Sequence, residues 1–188
     1  MRTLALLLSV SCGVAAAGEQ QTEDARLIES RALVATLGSE LRDALTGAIK
    51  SDGPARAISV CQFEAPAIAA RIGRADVRVG RTALRVRNPG NAADVDQRRI
   101  LSDFERRLAA GEAPDGIEQF DQTYKGGARY MKAIVTQPMC VTCHGPTLAP
   151  EVATVIKSRY PDDEAVGFTP GSLRGAFVVE WRASEPPP

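Results

Sequence analysis

The segment QPMCVTCHGP, residues 137–146, places Cys140, Cys143 and His144 in the pattern Cys-x-x-Cys-His. Three chemistries use such residues. A c-type haem takes one thioether from each cysteine and the adjacent histidine as an iron donor. A structural zinc needs four ligands, and Cys140, Cys143, His144 and Cys61 supply that number as a Cys₃His set. Neighbouring Cys143 and His144 would, however, strain the backbone to reach one tetrahedral ion. A thioredoxin-type pair uses two cysteines at a helix start and has no need of the histidine. A plain Cys140–Cys143 disulfide is the fourth reading. The haem reading uses all three residues together without that strain, and it leads.

The donor opposite His144 is limited by composition. The chain holds 1 histidine, so a haem with two imidazole ligands is excluded. Met139 directly precedes Cys140, on the attachment side, and is poorly placed to reach the other face. Met131 lies on the strand leading into the motif and reads as a core residue. Cys61 is the remaining sulfur. It shares an apolar helical stripe with Ile58, Ala65 and Ile68, and Pro66 removes one intrahelical hydrogen bond beside it. Loss of Cys12 with a leader and use of two cysteines by the haem leave Cys61 unpaired, which in an oxidising compartment needs a reason. Cys61 is therefore expected as the axial ligand. The competing reading is a buried cysteine that acts as a small hydrophobe.

The chain begins MRTLALLLSVSCGVAAAGEQ. Arg2, the apolar run Leu4 to Val10 and Ala15-Ala16-Ala17 have the layout of a secretory signal peptide cleaved after Ala17. Lipidation of Cys12 is the weaker alternative. Export to the periplasm or beyond suits haem attachment, and no later stretch has the ~18 uninterrupted apolar residues of a membrane helix. Basic and acidic side chains balance at 23 each, so no global field draws the chain to nucleic acid or lipid.

The elements that must position these residues read as α+β. Apolar residues from Leu27 to Ile49 recur at helical spacing over 23–50, giving a long N-terminal helix. A second helix over 54–72 opens at Pro54 and is disturbed near Pro66. VRVGRTALRVRN, residues 77–88, alternates as a strand, and NPGN is a turn. Residues 94–110 form a helix stopped by Gly111. A hairpin turning at Gly126-Gly127 leads into Cys-x-x-Cys-His. A short helix over 150–158 and a strand over 171–183 complete one domain over 23–183, ahead of a frayed tail, 184–188. The order suggests an antiparallel sheet with helices on one side.

Four stretches carry a family resemblance: CQFEAPAIA (61–69), RTALRVRNPGNAAD (81–94), QPMCVTCHG (137–145) and YPDDEAVGFTPGSLRGAFVV (160–179). They resemble an exported monohaem c-type family of obscure function, found alone and as the extracytoplasmic input domain of membrane sensors. The resemblance implies a PAS-like antiparallel sheet flanked by helices and one covalent haem c. A haem carries two propionates, which arginine forks bind well. Arg81 and Arg85, in the matched stretch, are the expected partners. Arg74, Arg78 and Arg87 read as a solvated strand face, Asp162 and Asp163 as loop charges, and Asn88, Pro89 and Asn91 as turn formers. Tyr124, Tyr130, Phe168 and Trp181 are core residues first and haem walls second, and Pro146 is placed to pack beside His144.

Two functions follow. One is one-electron transfer to a redox partner. The other is redox or gas sensing read by a signalling partner. Catalysis is disfavoured because no second histidine is left for acid–base work beside the iron. Partner identity and oligomeric state are not encoded in any of these patterns.

Overall fold

The computed structural model of the protein describes residues 14–183, with side chains from residue 25 onward. The leader as far as Gly13, with Cys12, and the tail 184–188 lie outside the described residues. Helix α1 spans Val14–Ser59 and is broken at Gly53, whose φ of 78° and ψ of 168° are left-handed. Glycine tolerates this conformation without steric cost, and Pro54 restarts the helix with its φ already fixed. A π-helical turn follows at Val60–Glu64, then α2, Ala65–Ile72, with Pro66 in its first turn. The expected disturbance near Pro66 is thus one widened turn, and Cys61 sits inside it.

Strands β1 (Val77–Thr82), β2 (Glu118–Asp121), β3 (Ala128–Val135) and β4 (Leu173–Trp181) make one antiparallel sheet in the order β1-β4-β3-β2. Helix α3 spans Val95–Ala109, α4 Val141–His144 and α5 Pro150–Arg159. The α+β class and the long first helix stand as read from the sequence. Two expectations are corrected. The helices cover both faces of the sheet, and β1 ends at Thr82 rather than at Asn88.

The two-sided cover follows from strand alternation. On β4, Ala176 and Val178 face α3, where Leu101 and Phe104 pack with Ile117 and Met131. Phe177 and Val179 face the other way, toward Val34 and Leu37 of α1 and Tyr130 of β3. Each fully buried side chain of this size stabilises by ~1.5–3 kcal/mol. A third cluster joins α5 to the end of α1 through Ile58, Val152, Ile156 and Tyr160.

β1 stops because its continuation is used elsewhere. The Ala83 N–H donates to Asn91 O (3.1 Å), and the Ala93 N–H donates to Ala83 O (3.3 Å). The chain thereby leaves the sheet at Ala83 and returns at Asp94, which caps α3. Gln97 N–H donates to Asp94 Oδ1 (2.7 Å) while Asp94 N–H donates to Gln97 Oε1 (3.1 Å), a reciprocal capping box. The Thr82 hydroxyl also donates to Gln97 Oε1 (2.9 Å), tying the end of β1 to the start of α3. Apolar–basic alternation over 83–88 is the trace of an excursion with one buried arginine, not of a half-buried strand.

Candidate functional site

Cys140, Cys143 and His144 occupy consecutive helical turns at positions i, i+3 and i+4, so they share one face. All three line a cleft at the end of the sheet, between that face, β1, the start of β4 and the C-terminal part of α1. Cys61 lines the same cleft from its widened turn. The cleft is partly open and holds about 210 Å³. Cys61, Cys140 and Cys143 are all free thiols and half-buried. Burial pushes the Cys143 thiol up.

The segment 163–168 holds the motif in place. Phe168 N–H donates to His144 O (2.9 Å) and Gly167 N–H to Gly145 O (3.0 Å). His144 Nδ1 lies 2.7 Å from Ala165 O. A carbonyl only accepts, so Nδ1 carries the proton and Nε2 keeps a free lone pair. Burial, reinforced by the guanidiniums of Arg174 and Arg87, pushes the His144 pKa down to about 3. The imidazole is therefore a neutral donor at any ordinary pH. The Phe168 ring meets it edge-on, with centroids 6.3 Å apart.

Arg87, expected on a solvated strand face, and Asp163, expected as a loop charge, are instead buried against each other. Arg87 Nη2 donates to Cys143 O (2.6 Å), to Asp163 Oδ2 (3.0 Å) and to Ala165 O (3.3 Å). Both side chains are under one-tenth exposed. This guanidinium ties the 81–94 loop to the Cys-x-x-Cys-His turn and to the 163–168 segment. Arg74 and Arg78 do lie at the surface, paired with Glu29 and Asp76 and with Glu180.

Arg81 lines the cleft as expected, and Arg85 does not. Arg85 is exposed, donates to Val166 O (2.7 Å) and lies 4.0 Å from the Phe168 ring centroid. Arg85 follows the end of β1, where the chain has left the sheet. Arg174, on β4, and Arg87 line the cleft as well, and of the three only Arg87 is paired with a carboxylate among the described residues. Burial lowers the pKa of the Arg81 and Arg174 guanidiniums, that of Arg174 to about 10. Among the described residues neither is paired with a carboxylate, and Arg174 only donates to Arg85 O (3.3 Å). Two desolvated cations at the rim of an apolar cleft call for an anionic ligand.

The remaining expected residues sort clearly. Met131 is fully buried in the α3-facing core and does not line the cleft. Tyr130 and Trp181 belong to the α1-facing core, and Trp181 Nε1–H donates to Ser30 Oγ (2.9 Å). Tyr124 lies under the Arg129 guanidinium, remote from the cleft lining. Pro146 is exposed, while Asn88 caps its turn by accepting from Gly90 N–H (2.9 Å). The Cys₃His zinc alternative is not met: among the described residues no three His, Cys, Asp or Glu side chains converge as a metal-ion site.

Sequence reasoning missed Arg174, Arg87, Gly175 and Tyr160. All lie in two of the four quoted stretches, which converge on this cleft. Gly175 is there by necessity, because a Cβ on it would stand 2.4 Å from Thr82 O. Its small size lets β4 cross β1 closely where Arg174 enters the cleft.

No helix among the described residues is long and apolar enough to cross a membrane. No curated protein matches the chain. The crystal structure of the cyanobacterial haem protein Tll0287 is similar in fold, with a TM-score of 0.61 and 25% identity over 85% of this chain and 98% of that one. The family described as Tll0287-like matches residues 17–181, from the start of the long helix through the last strand, and the chain belongs to it.

Proposed function

We propose that this protein is an exported, non-enzymatic one-electron module with a single haem c, attached through the sulfurs of Cys140 and Cys143, with His144 and Cys61 as the donors to its iron. The observation that carries this reading is the convergence of a Cys-x-x-Cys-His turn and a lone cysteine from a distant helix in one cleft. The likeness to a cyanobacterial haem protein supports it, and the leader supports export.

The residues present fit the group. Leu45, Ile49, Ala57 and Ile134 give the cleft an apolar body, and Arg81 and Arg174 give it two cations with no carboxylate partner among the described residues. A porphyrin with two propionates has the complementary character. A haem bound there supplies a reversible ferric–ferrous couple whose potential follows its axial donors. The chain's own part is to fix those donors. Ala165 holds the His144 tautomer, and Arg87 clamps the Cys143 carbonyl. Cys61 offers an anionic sulfur that favours the ferric state, so the potential falls below that of a histidine–methionine site. Met131 is excluded from this role by its burial on the other face of the sheet.

Sensing is the second reading, and one feature favours it. Cys61 is carried on a π-helical turn shortly after the Gly53 break, and such turns occur disproportionately at functional sites. A donor mounted there would be held by a turn that departs from regular helix geometry. Visible spectra of the ferric protein, the dithionite-reduced protein and the reduced protein under carbon monoxide separate the cases. A ferrous protein inert to carbon monoxide supports a carrier that hands electrons to a redox partner. Rapid carbon monoxide binding supports a sensor read by a signalling partner. A colourless protein containing one zinc would overturn both.

The arginine assignment gives a further expected result. Arg81→Gln and Arg174→Gln each remove a charge-assisted bond to a propionate, worth ~1.5–3 kcal/mol of haem-loaded stability. Each also lowers the potential, because a cation near the iron disfavours the ferric state. Arg85→Gln, outside the cleft, changes neither by a comparable amount. Denaturant midpoints and redox titrations of the three loaded variants check this, and equal effects from Arg85 would sink it.

A further inference from the structure

Phe168 is buried, 4% exposed, yet it belongs to none of the three apolar clusters described above. The groups around its ring are an imidazole and two guanidiniums. The ring meets the His144 imidazole at 87°, with centroids 6.3 Å apart, within the ~4.5–7 Å of paired aromatic rings. The guanidinium carbon of Arg174 lies over the same ring, 5.0 Å from its centroid, and that of Arg85 at 4.0 Å. The backbone holds the ring at this spot, since the Phe168 N–H donates to the carbonyl of His144 itself (2.9 Å).

Each contact answers a need that the rest of the cleft leaves open. Arg174 is half-buried, has no carboxylate partner among the described residues, and donates to the Arg85 carbonyl at 3.3 Å. A cation withdrawn from water needs a replacement for its hydration. The negative face of an aromatic ring attracts a cation within ~6 Å of its centroid. Unlike a carboxylate, the ring does not occupy the N–H donors. Those donors stay free for an anion in the cleft, which Arg174 lines. His144 is fixed at one atom, where Nδ1 lies 2.7 Å from Ala165 O. One hydrogen bond sets the tautomer but not the tilt of the imidazole about it. The perpendicular Phe168 ring supplies the second contact.

We infer that Phe168 is a positioning residue whose ring holds the Arg174 guanidinium in the cleft, with its donors free for an anion, and sets the tilt of the His144 imidazole. One side chain thereby places both the anion-binding cation and the nitrogen donor. The consequence for a bound haem rests on the function proposed above. The contact of the ring with Arg174 does not.

The test uses the full chain, with and without attached haem, and the variants Phe168→Tyr, Phe168→Trp, Phe168→Leu and Phe168→Leu/Arg174→Gln. Tyrosine and tryptophan keep a ring face; leucine keeps an apolar side chain without one. In the haem-free chain the Arg174 Nε–H resonance, assigned by its absence from Arg174→Gln, is expected upfield, shifted by the ring current. Phe168→Leu is expected to abolish that shift, and at least one of the aromatic variants to retain it. In the loaded chain Phe168→Leu is expected to alter the g-values in electron paramagnetic resonance and to lower the potential, in the same direction as Arg174→Gln. In the Arg174→Gln background the leucine substitution is expected to keep its effect on the g-values and to lose most of its effect on the potential, a non-additivity that marks the shared contact. A Phe168→Leu chain with the wild-type arginine resonance overturns the inference. So does failure of both aromatic variants to retain the shift, because the position would then serve shape alone. Should Phe168→Leu not fold, Phe168→Met carries the same comparison. A wild type that shows the arginine shift but takes up no haem removes the function proposed above and leaves the placement of Arg174 standing.

Discussion

Acid–acetone treatment of the wild-type protein is expected to leave its haem on the polypeptide, whereas the Cys140→Ala/Cys143→Ala chain is expected to release whatever haem it has acquired into the solvent. A thioether is a covalent bond and survives acid. A haem held only by His144 and apolar walls does not, since acid protonates the imidazole and unfolds the chain. The structure supplies the geometric condition for two attachments: both thiols are free, on one helical face, and open to one cleft. The Arg87 guanidinium donates to the Cys143 carbonyl and so ties that turn to the loop after β1. A pyridine haemochrome assay checks the count, with one haem per chain expected. Colour lost from the wild type to acetone would sink the covalent assignment.

Cys61→Ser carries the second large effect. The ferric wild type is expected to show a low-spin thiolate signature by low-temperature electron paramagnetic resonance and magnetic circular dichroism, and the serine variant to lose it. A serine hydroxyl is a far weaker donor than a thiolate at neutral pH, so the ferric state loses its stabilisation and the potential rises. The substitution is nearly isosteric, so stability changes little beyond the metal bond itself, and far-ultraviolet circular dichroism should be unchanged. A variant with the wild-type ligand field would assign the sixth position to another donor. Met139 at the cleft mouth is the sulfur left to test, since Met131 is sequestered in the α3-facing core.

The sequence by itself named the candidate donors for the proposed haem. Residue type and spacing name the attachment pair and the first iron ligand, because thioether chemistry and the adjacent histidine leave little freedom. The single histidine then excludes a second imidazole, and counting cysteines makes Cys61 the proposed second ligand. The main helices, the hairpin at Gly126-Gly127 and the last strand were also legible, since each carries a local periodicity or a local stop signal. Only the tertiary structure decided which arginines enter the cleft. Arg81, Arg85 and Arg87 look equivalent in a string of alternating residues. Yet the departure of the chain from the sheet at Ala83 sends Arg85 to solvent and Arg87 to the Cys143 carbonyl. Arg174 and Tyr160 lie far from Cys61 in sequence and meet it through β4 and α5, by pairings that no local pattern encodes. Long-range partners depend on which faces of distant elements pack together, and a charge unpaired along the chain becomes a binding group only where folding removes it from water.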